Sequence, residues 1–224
     1  TSAWYGKNIE LPFFDYYLKN KGSIDQIKEA NIFFSGSNEW KQLPSWPVAN
    51  MKMETFLLSD QGKIRQGSKS TQLTSFESYI SDPAKPVPYI SDNYMMKSKP
   101  KRHYREYMDE DQKFTSRRTD VLVYSTPILT SDLVLGGPVV ADLMVAMSGT
   151  DADFVVKLID VYPDNFEYTS NQTDYLMSGY QQLVRGEIMR GKYRNSYEKP
   201  EAFVPNKPTQ VKFALPDIAH TFKK

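Results

Sequence analysis

Cysteine is absent from this 224-residue chain, and histidine occurs only twice, at His103 and His220. The first absence excludes disulfides, thiolate metal sites and a cysteine nucleophile. It leaves the compartment open, cytoplasmic or exported. The second leaves two candidate imidazole bases. No segment approaches the roughly 20 consecutive apolar residues that cross a bilayer as a helix, and no signal peptide opens the chain. Charge of one sign is scarce too: 28 basic against 27 acidic residues leave a formal net charge of +1. Such a balance offers no field to draw nucleic acid or an anionic membrane, so neither is expected as a partner. The nucleophile-elbow pattern G-x-S-x-G occurs nowhere. With Thr1 first, no initiating Met and "HTFKK" last, the chain reads as a piece of something longer.

Hydrophobic residues make up 40% of the sequence and aromatics 13%, enough to fill a sizeable core. "ELPFFDYYLKNKG" predicts a short amphipathic helix, with Pro12 in its first turn, Phe13, Phe14, Tyr17 and Leu18 as its stripe, and Gly22 at its end. A brief strand, Ile32 to Phe34, follows. The prolines of "KQLPSWPVAN" place a domain boundary near Asn50. "METFLLSDQGKI" reads as strand, turn, strand around Asp60-Gln61-Gly62, whereas three prolines within six residues make "SDPAKPVPYISDNYMMKSKPKRHY" an irregular connection. Further strands are predicted in "DVLVYSTPIL", "GPVVADLMVAMS", "DFVVKLIDVYP", "GYQQLVRGEIMRGKYR" and "TQVKFALPDIAHTF". The last alternates cleanly, Val211, Phe213 and Leu215 facing inward. In "DFVVKLIDVYP" both faces are apolar, Phe154, Val156 and Leu158 on one side and Val155, Ile159 and Val161 on the other, with only Lys157 intruding. Such a strand wants cover on both sides. Many short strands with little helical periodicity predict a mainly β fold, a jelly-roll β-sandwich.

Several side chains could carry chemistry, and for each a plainer account competes. His103, in "KPKRHYRE", reads as a solvated loop residue, and His220, at a strand end, as the partner in a structural hydrogen bond. Asp151 and Asp153, two apart at a strand end, are candidate calcium ligands; the competing account makes them turn formers. Asp109, Glu110 and Asp111 read as a solvated face loosely paired with Arg117 and Arg118. Arg185 with Glu187 and Arg190 with Arg194 share a strand face, where cross-strand ion pairs are expected. Trp4, Trp40 and Trp46 could make a sugar-stacking platform or pack between domains. Asn171 begins a formal glycosylation triplet. No catalytic residue, metal or cofactor is assigned.

Four long runs, "DEDQKFTSRRTDVLVYSTPIL", "GPVVADLMVAMSGTDADFVVKLIDVYPD", "GYQQLVRGEIMRGKYRNSYEKPEAFVPNKP" and "FALPDIAHTFKK", resemble the C-terminal domain of the X-Pro dipeptidyl-peptidase and cocaine esterase superfamily, which includes α-amino-acid ester hydrolases and glutaryl acylases. Upstream, "LPFFDYYLK" and "SGSNEWKQLPSWP" resemble the tail of that family's α/β-hydrolase domain; Gly67 to Arg105 is the least family-like stretch. The resemblance implies a galactose-binding-like jelly roll over residues 51–224, preceded at 1–50 by a short helix and strand from the end of the hydrolase domain. It implies a parent serine hydrolase that cleaves esters or amides through an acyl-enzyme, releasing an acyl or X-Pro dipeptidyl group. The Ser-Asp-His triad would precede Thr1, and His220 falls at a structural position. The chain alone is then expected to be inactive, and its partners to be the α/β-hydrolase and cap domains of the same protein, with a homo-oligomer also possible. The family's jelly roll normally continues past "HTFKK", which bears on whether the sheet is complete alone. A carbohydrate-binding jelly-roll module is the alternative reading.

Overall fold

The computed structural model describes residues 1–49, 51–68, 75–91, 107–167 and 176–224. It is mainly β with little helix. Eight strands are described: β1 Ala30–Phe34, β2 Glu39–Leu43, β3 Phe56–Ser59, β4 Lys63–Gln66, β5 Leu133–Val145, β6 Asp153–Val161, β7 Gln181–Arg190 and β8 Thr209–Phe222. Among the described residues they pair as β1-β2, β3-β4, β5-β8 and β6-β7. The chain divides into two compact units: Thr1–Met53 with Leu129–Pro138 and Asp217–Lys224, and Glu54–Ile128 with Val139–Pro216. β5 and β8 each contribute residues to both.

In the first unit, helix begins earlier than the amphipathic stripe suggests. An α-helical turn, α1 at Ser2–Tyr5, runs through a π-helical segment, Gly6–Glu10, into α2 at Leu11–Lys19. Pro12 lacks an amide hydrogen to donate back along the helix, and the widened turn lies immediately before it. The helix stops at Asn20, in the left-handed conformation with φ 51°, two residues before Gly22. β1 and β2 form an antiparallel hairpin joining Ala30 to Leu43 and Phe34 to Glu39. β2 occupies part of the stretch read from sequence as a proline-rich boundary. Trp40, on β2, stacks on Trp4 with ring centroids 4.9 Å apart, and Phe33 tilts against it. Trp46 packs on Phe34 and donates its indole N–H to Asp217 at 2.9 Å. The three tryptophans thus make their contacts within this unit, Trp4 remaining partly exposed, and the Trp4–Trp40 stack occupies ring faces that a sugar platform would have to present.

In the second unit, β3 and β4 turn at Asp60-Gln61-Gly62, with Gln61 and Gly62 both at positive φ. A Cβ on Gly62 would lie 2.7 Å from the Val123 carbonyl oxygen, so glycine is required there. Among the described residues, the predicted strand in "DVLVYSTPIL" makes a single parallel bridge, Ser125 to Lys63, and no ladder. Pro127 removes a donor, and Leu122, Val123 and Ile128 remain exposed. The main core gathers Ala141, Met189, Phe203, Val211, Phe213 and Leu215, with Val139, Val145, Met147, Phe154 and Val156 against it. β8 alternates as read: Val211, Phe213 and Leu215 are buried while Gln210, Lys212 and Ala214 are exposed.

β6 departs from expectation. Phe154 and Val156 reach the core, but Val155 and Val161 stay 55% and 59% exposed. A bulge between Leu158 and Ile159 shifts the register against β7, so strict alternation does not persist along the strand. On the second apolar face, Val155 and Val161 are thus exposed and Ile159 is half-buried.

Candidate functional site

Three polar groupings stand out, each within one unit. The first joins Ser35 and His220. Gly36 follows β1 at φ +82°, and a Cβ there would lie 1.9 Å from the Thr221 carbonyl oxygen. This close approach lets Ser35 bridge His220 in parallel: the Ser35 amide donates to Ala219 at 3.1 Å and the Thr221 amide to Ser35 at 2.8 Å. The Ser35 Oγ lies 2.7 Å from His220 Nδ1 and 3.2 Å from the Ala219 carbonyl. A serine beside an imidazole is the start of a nucleophilic dyad, but a dyad must also admit a carbonyl substrate. His220 is 1% exposed and its ring packs edge-on against Phe222 at 4.6 Å. This geometry fits a buried tie between chain segments.

The second grouping centres on Arg190. Its Nε donates to Asp151 at 2.8 Å and its Nη1 to Asp153 at 3.1 Å, while the Lys192 amide donates to Asp151 at 3.0 Å. Asp153 and Arg190 are cross-strand partners of β6 and β7. Burial would raise the Asp151 carboxyl, but the Arg190 hydrogen bond, the Lys192 amide and both positive charges outweigh it and hold the group below its ordinary range. The two candidate calcium ligands are thus engaged by a guanidinium, and no cluster of three or more His, Cys, Asp or Glu that could hold a metal occurs among the described residues. Arg190 pairs across the ladder with Asp153 of β6 and with Asp151 just before that strand, whereas Arg194 lies beyond the end of β7 and shares no strand face with it.

This pairing has a pH signature. Because the folded value of Asp151 is depressed, its contribution is complete above the unfolded value near 3.9 and is lost as pH falls through the folded value. Asp151→Asn is expected to cost up to about 1 kcal/mol at pH 6 for this partly exposed pair, with the gap to the parent narrowing as pH falls below the unfolded value. Thermal melts across that range, with and without calcium, check it. Calcium is expected to leave both proteins unmoved.

The third grouping was not legible beforehand. Lys157, the one charge interrupting the apolar face of β6, donates to Gln112 Oε1 at 2.8 Å. Buried Gln112 donates in turn to the Glu110 carbonyl at 2.9 Å. Glu110 is buried rather than solvated, its carboxylate accepting the backbone amide and the hydroxyl of Ser91. Asp111 accepts the amides of Lys113 and Gln181, each at 3.1 Å. Arg118 pairs with Asp120 instead of the acidic run, at 2.6 Å. Desolvation pushes the Lys157 ammonium below its usual value, and the Glu110 charge opposes that push. The network fastens the segment around residues 109–113 to β6 and β7. His103 and Asn171 lie outside the described residues.

This geometry defines a β-rich domain whose polar side chains are spent on holding strands and loops together. Residues 15–224 match the family described as the X-Pro dipeptidyl-peptidase C-terminal non-catalytic domain, and the chain belongs to that family. It is 32% identical over 160 residues to cocaine esterase from Rhodococcus sp. (strain MB1 Bresler), which covers 68% of this chain and 27% of the esterase. Among solved structures it is similar to an aminopeptidase from the marine sediment archaeon Thaumarchaeota archaeon, with 34% identity and a TM-score of 0.84 over 100% of this chain and 35% of that one. An α-amino acid ester hydrolase aligns at 32% identity and a TM-score of 0.86, over 99% of this chain and 36% of that one. A CocE/NonD family hydrolase from Staphylococcus aureus, 16% identical with a TM-score of 0.56 over 100% of this chain and 37% of its own, shares the fold. The chain spans about a third of these relatives' lengths or less.

Proposed function

We propose that this chain is the non-catalytic C-terminal domain of a serine hydrolase that cleaves esters or amides through an acyl-enzyme. Residues 1–50 form the tail of the α/β-hydrolase domain and 51–224 a jelly roll that braces the catalytic and cap domains of the same protein. One observation carries this reading: essentially the whole chain aligns at 32–34% identity with about a third of an aminopeptidase and of an α-amino acid ester hydrolase. The Ser35–His220 tie supports it, since the His220 imidazole is 1% exposed and is engaged by Ser35 and packed against Phe222.

The test is to treat the full-length parent protein with a serine-directed phosphonate and map the adduct by peptide mass. The adduct is expected on a serine outside Thr1–Lys224, with activity lost in proportion. Stoichiometric labelling of a serine within the 224 residues would contradict the proposal.

A further inference from the structure

An open groove of about 440 Å³ runs between the Asp82–Lys85 turn and the segment that follows the helical turn Lys113–Ser116, lined by Ile80, Asp82, Lys85, Arg117, Arg118 and Asp120. All of these residues belong to the second unit. The turn is closed by its own first residue: Asp82 accepts the Ala84 amide at 2.9 Å on its side chain and the Lys85 amide at 3.0 Å on its carbonyl. Arg118 ties that turn to the opposite wall. Its Nε and Nη2 donate to the two oxygens of Asp120, at 2.8 and 2.6 Å, and Nη2 donates as well to the Lys85 carbonyl at 3.0 Å. Both walls are thus fixed by bonds that use neither the Arg117 guanidinium nor the Lys85 ammonium.

Charge decides what such a groove can take. Both Asp120 oxygens are occupied, and the Arg118 hydrogen bond holds that carboxyl below its ordinary range. Asp82 has one oxygen on the Ala84 amide. Arg117 and Lys85 are exposed, and among the described residues neither has a carboxylate partner, so Arg117 does not make the loose pairing with the acidic run that the sequence suggests. Three cations against two carboxylates leave one uncompensated positive charge on the lining. A monoanion balances it, whereas a dianion such as phosphate would bring a second negative charge to walls that already carry two. The planar fork of Arg117 matches a carboxylate in particular. Ile80, 87% exposed, offers apolar surface in the same groove.

We propose that this groove binds a small carboxylic acid, its carboxylate on Arg117 and Lys85 and its apolar substituent against Ile80. The volume falls within the range of about 300–1,000 Å³ usual for small-molecule sites. Because the groove is open to solvent, the affinity is modest, in the millimolar range. The inference deepens the proposed function and rests on it for the source of the ligand: hydrolysis of an ester or amide by water releases such an acid together with an alcohol or an amine. The groove then holds the product class of the parent enzyme's own reaction.

Calorimetric titration of 3-phenylpropionate into the full-length protein, its reactive serine first blocked with the phosphonate, tests this. Saturable binding of one equivalent is expected, weakened at least about tenfold in Arg117→Gln and about fivefold in Ile80→Ser. Both side chains are exposed, so each variant is expected to keep the parent's melting temperature. 3-Phenylpropanol, which has the apolar arm without the charge, and inorganic phosphate, which has charge without the arm, are each expected to bind at least about tenfold more weakly. Absence of saturable binding overturns the proposal, as does binding unchanged in either variant. Equal affinity for the alcohol also overturns it, making the groove a general apolar cleft, and equal affinity for phosphate makes it a general anion site with the same consequence. The hydrolase reading fails separately: Arg117-dependent binding in a protein whose phosphonate adduct maps within Thr1–Lys224 leaves the site standing and removes that reading. Absent binding in a normally labelled enzyme does the reverse.

Discussion

Replacing Gly36 by alanine is expected to lower stability by about 3 kcal/mol or more, because the new methyl group has nowhere to go. Its position would lie 1.9 Å from the Thr221 carbonyl oxygen, and the residue sits at φ +82°, a conformation that alone costs a side-chain-bearing residue about 1–3 kcal/mol. The obstacle is backbone, so no rotamer change relieves it. Ser35 and Thr221 must separate, and with them go the amide bonds at 3.1 and 2.8 Å and the Ser35–His220 contact at 2.7 Å, each worth about 0.5–1.5 kcal/mol net. A fall in melting temperature of about 6–12 °C follows for a cooperative domain of this size. Gly149→Ala is the internal control: an added Cβ there meets nothing within 4 Å and the backbone is not at positive φ. That variant is expected to match the parent or gain slightly. Calorimetry on the two variants side by side checks the pair.

Leu215→Ala is expected to destabilise by about 2–5 kcal/mol, the usual range for emptying a closed core site. Leu215 is 2% exposed and sits with Val211 and Phe213 along the inward face of β8, against Ala141, Met189 and Phe203. Its ladder position limits collapse into the cavity. Exposed Ala214→Ser, one residue away on the opposite face, is expected to stay within about 0.5 kcal/mol of the parent. Urea titration separates the cases, since the midpoint should fall for L215A with little change in slope.

These two sites also mark how far the fold could be read in advance. β8 was legible because one buried and one solvated face impose a period of two, and Val211, Phe213 and Leu215 keep it. The β3–β4 turn was legible from Asp60-Gln61-Gly62, where local backbone preference suffices. β2 was not, because Glu39-Trp40-Lys41-Gln42 is mostly polar and its strand character comes from pairing with β1 and from the Trp4 ring. In "DVLVYSTPIL" the composition is that of a strand, but Pro127 and the absence of a ladder partner among the described residues leave one bridge. β6 has a two-sided apolar pattern, yet Val155 and Val161 of its second face are exposed, because the bulge between Leu158 and Ile159 breaks the alternation.

Of the polar groups, the engagement of Asp153 by Arg190 follows the cross-strand logic visible in sequence, although the partner strand could not be named. Two others depend on contacts between distant positions. Ser35 meets His220 across 185 residues and Glu110 meets Ser91 across 19, separations that no periodicity encodes. Lys157 gave a local signal, a lone charge in an apolar strand, without indicating that Gln112 would receive it.

The central claim is that the Ser35–His220 pair holds strands together and that hydrolysis is performed elsewhere in the parent protein. Steady-state kinetics of full-length Ser35→Ala test it most directly. The expected result is a kcat/KM within about threefold of the parent and undiminished phosphonate labelling, with a modest loss of thermal stability. A folded variant whose kcat has dropped by about a thousandfold or more, the scale on which an essential nucleophile is missed, would contradict it.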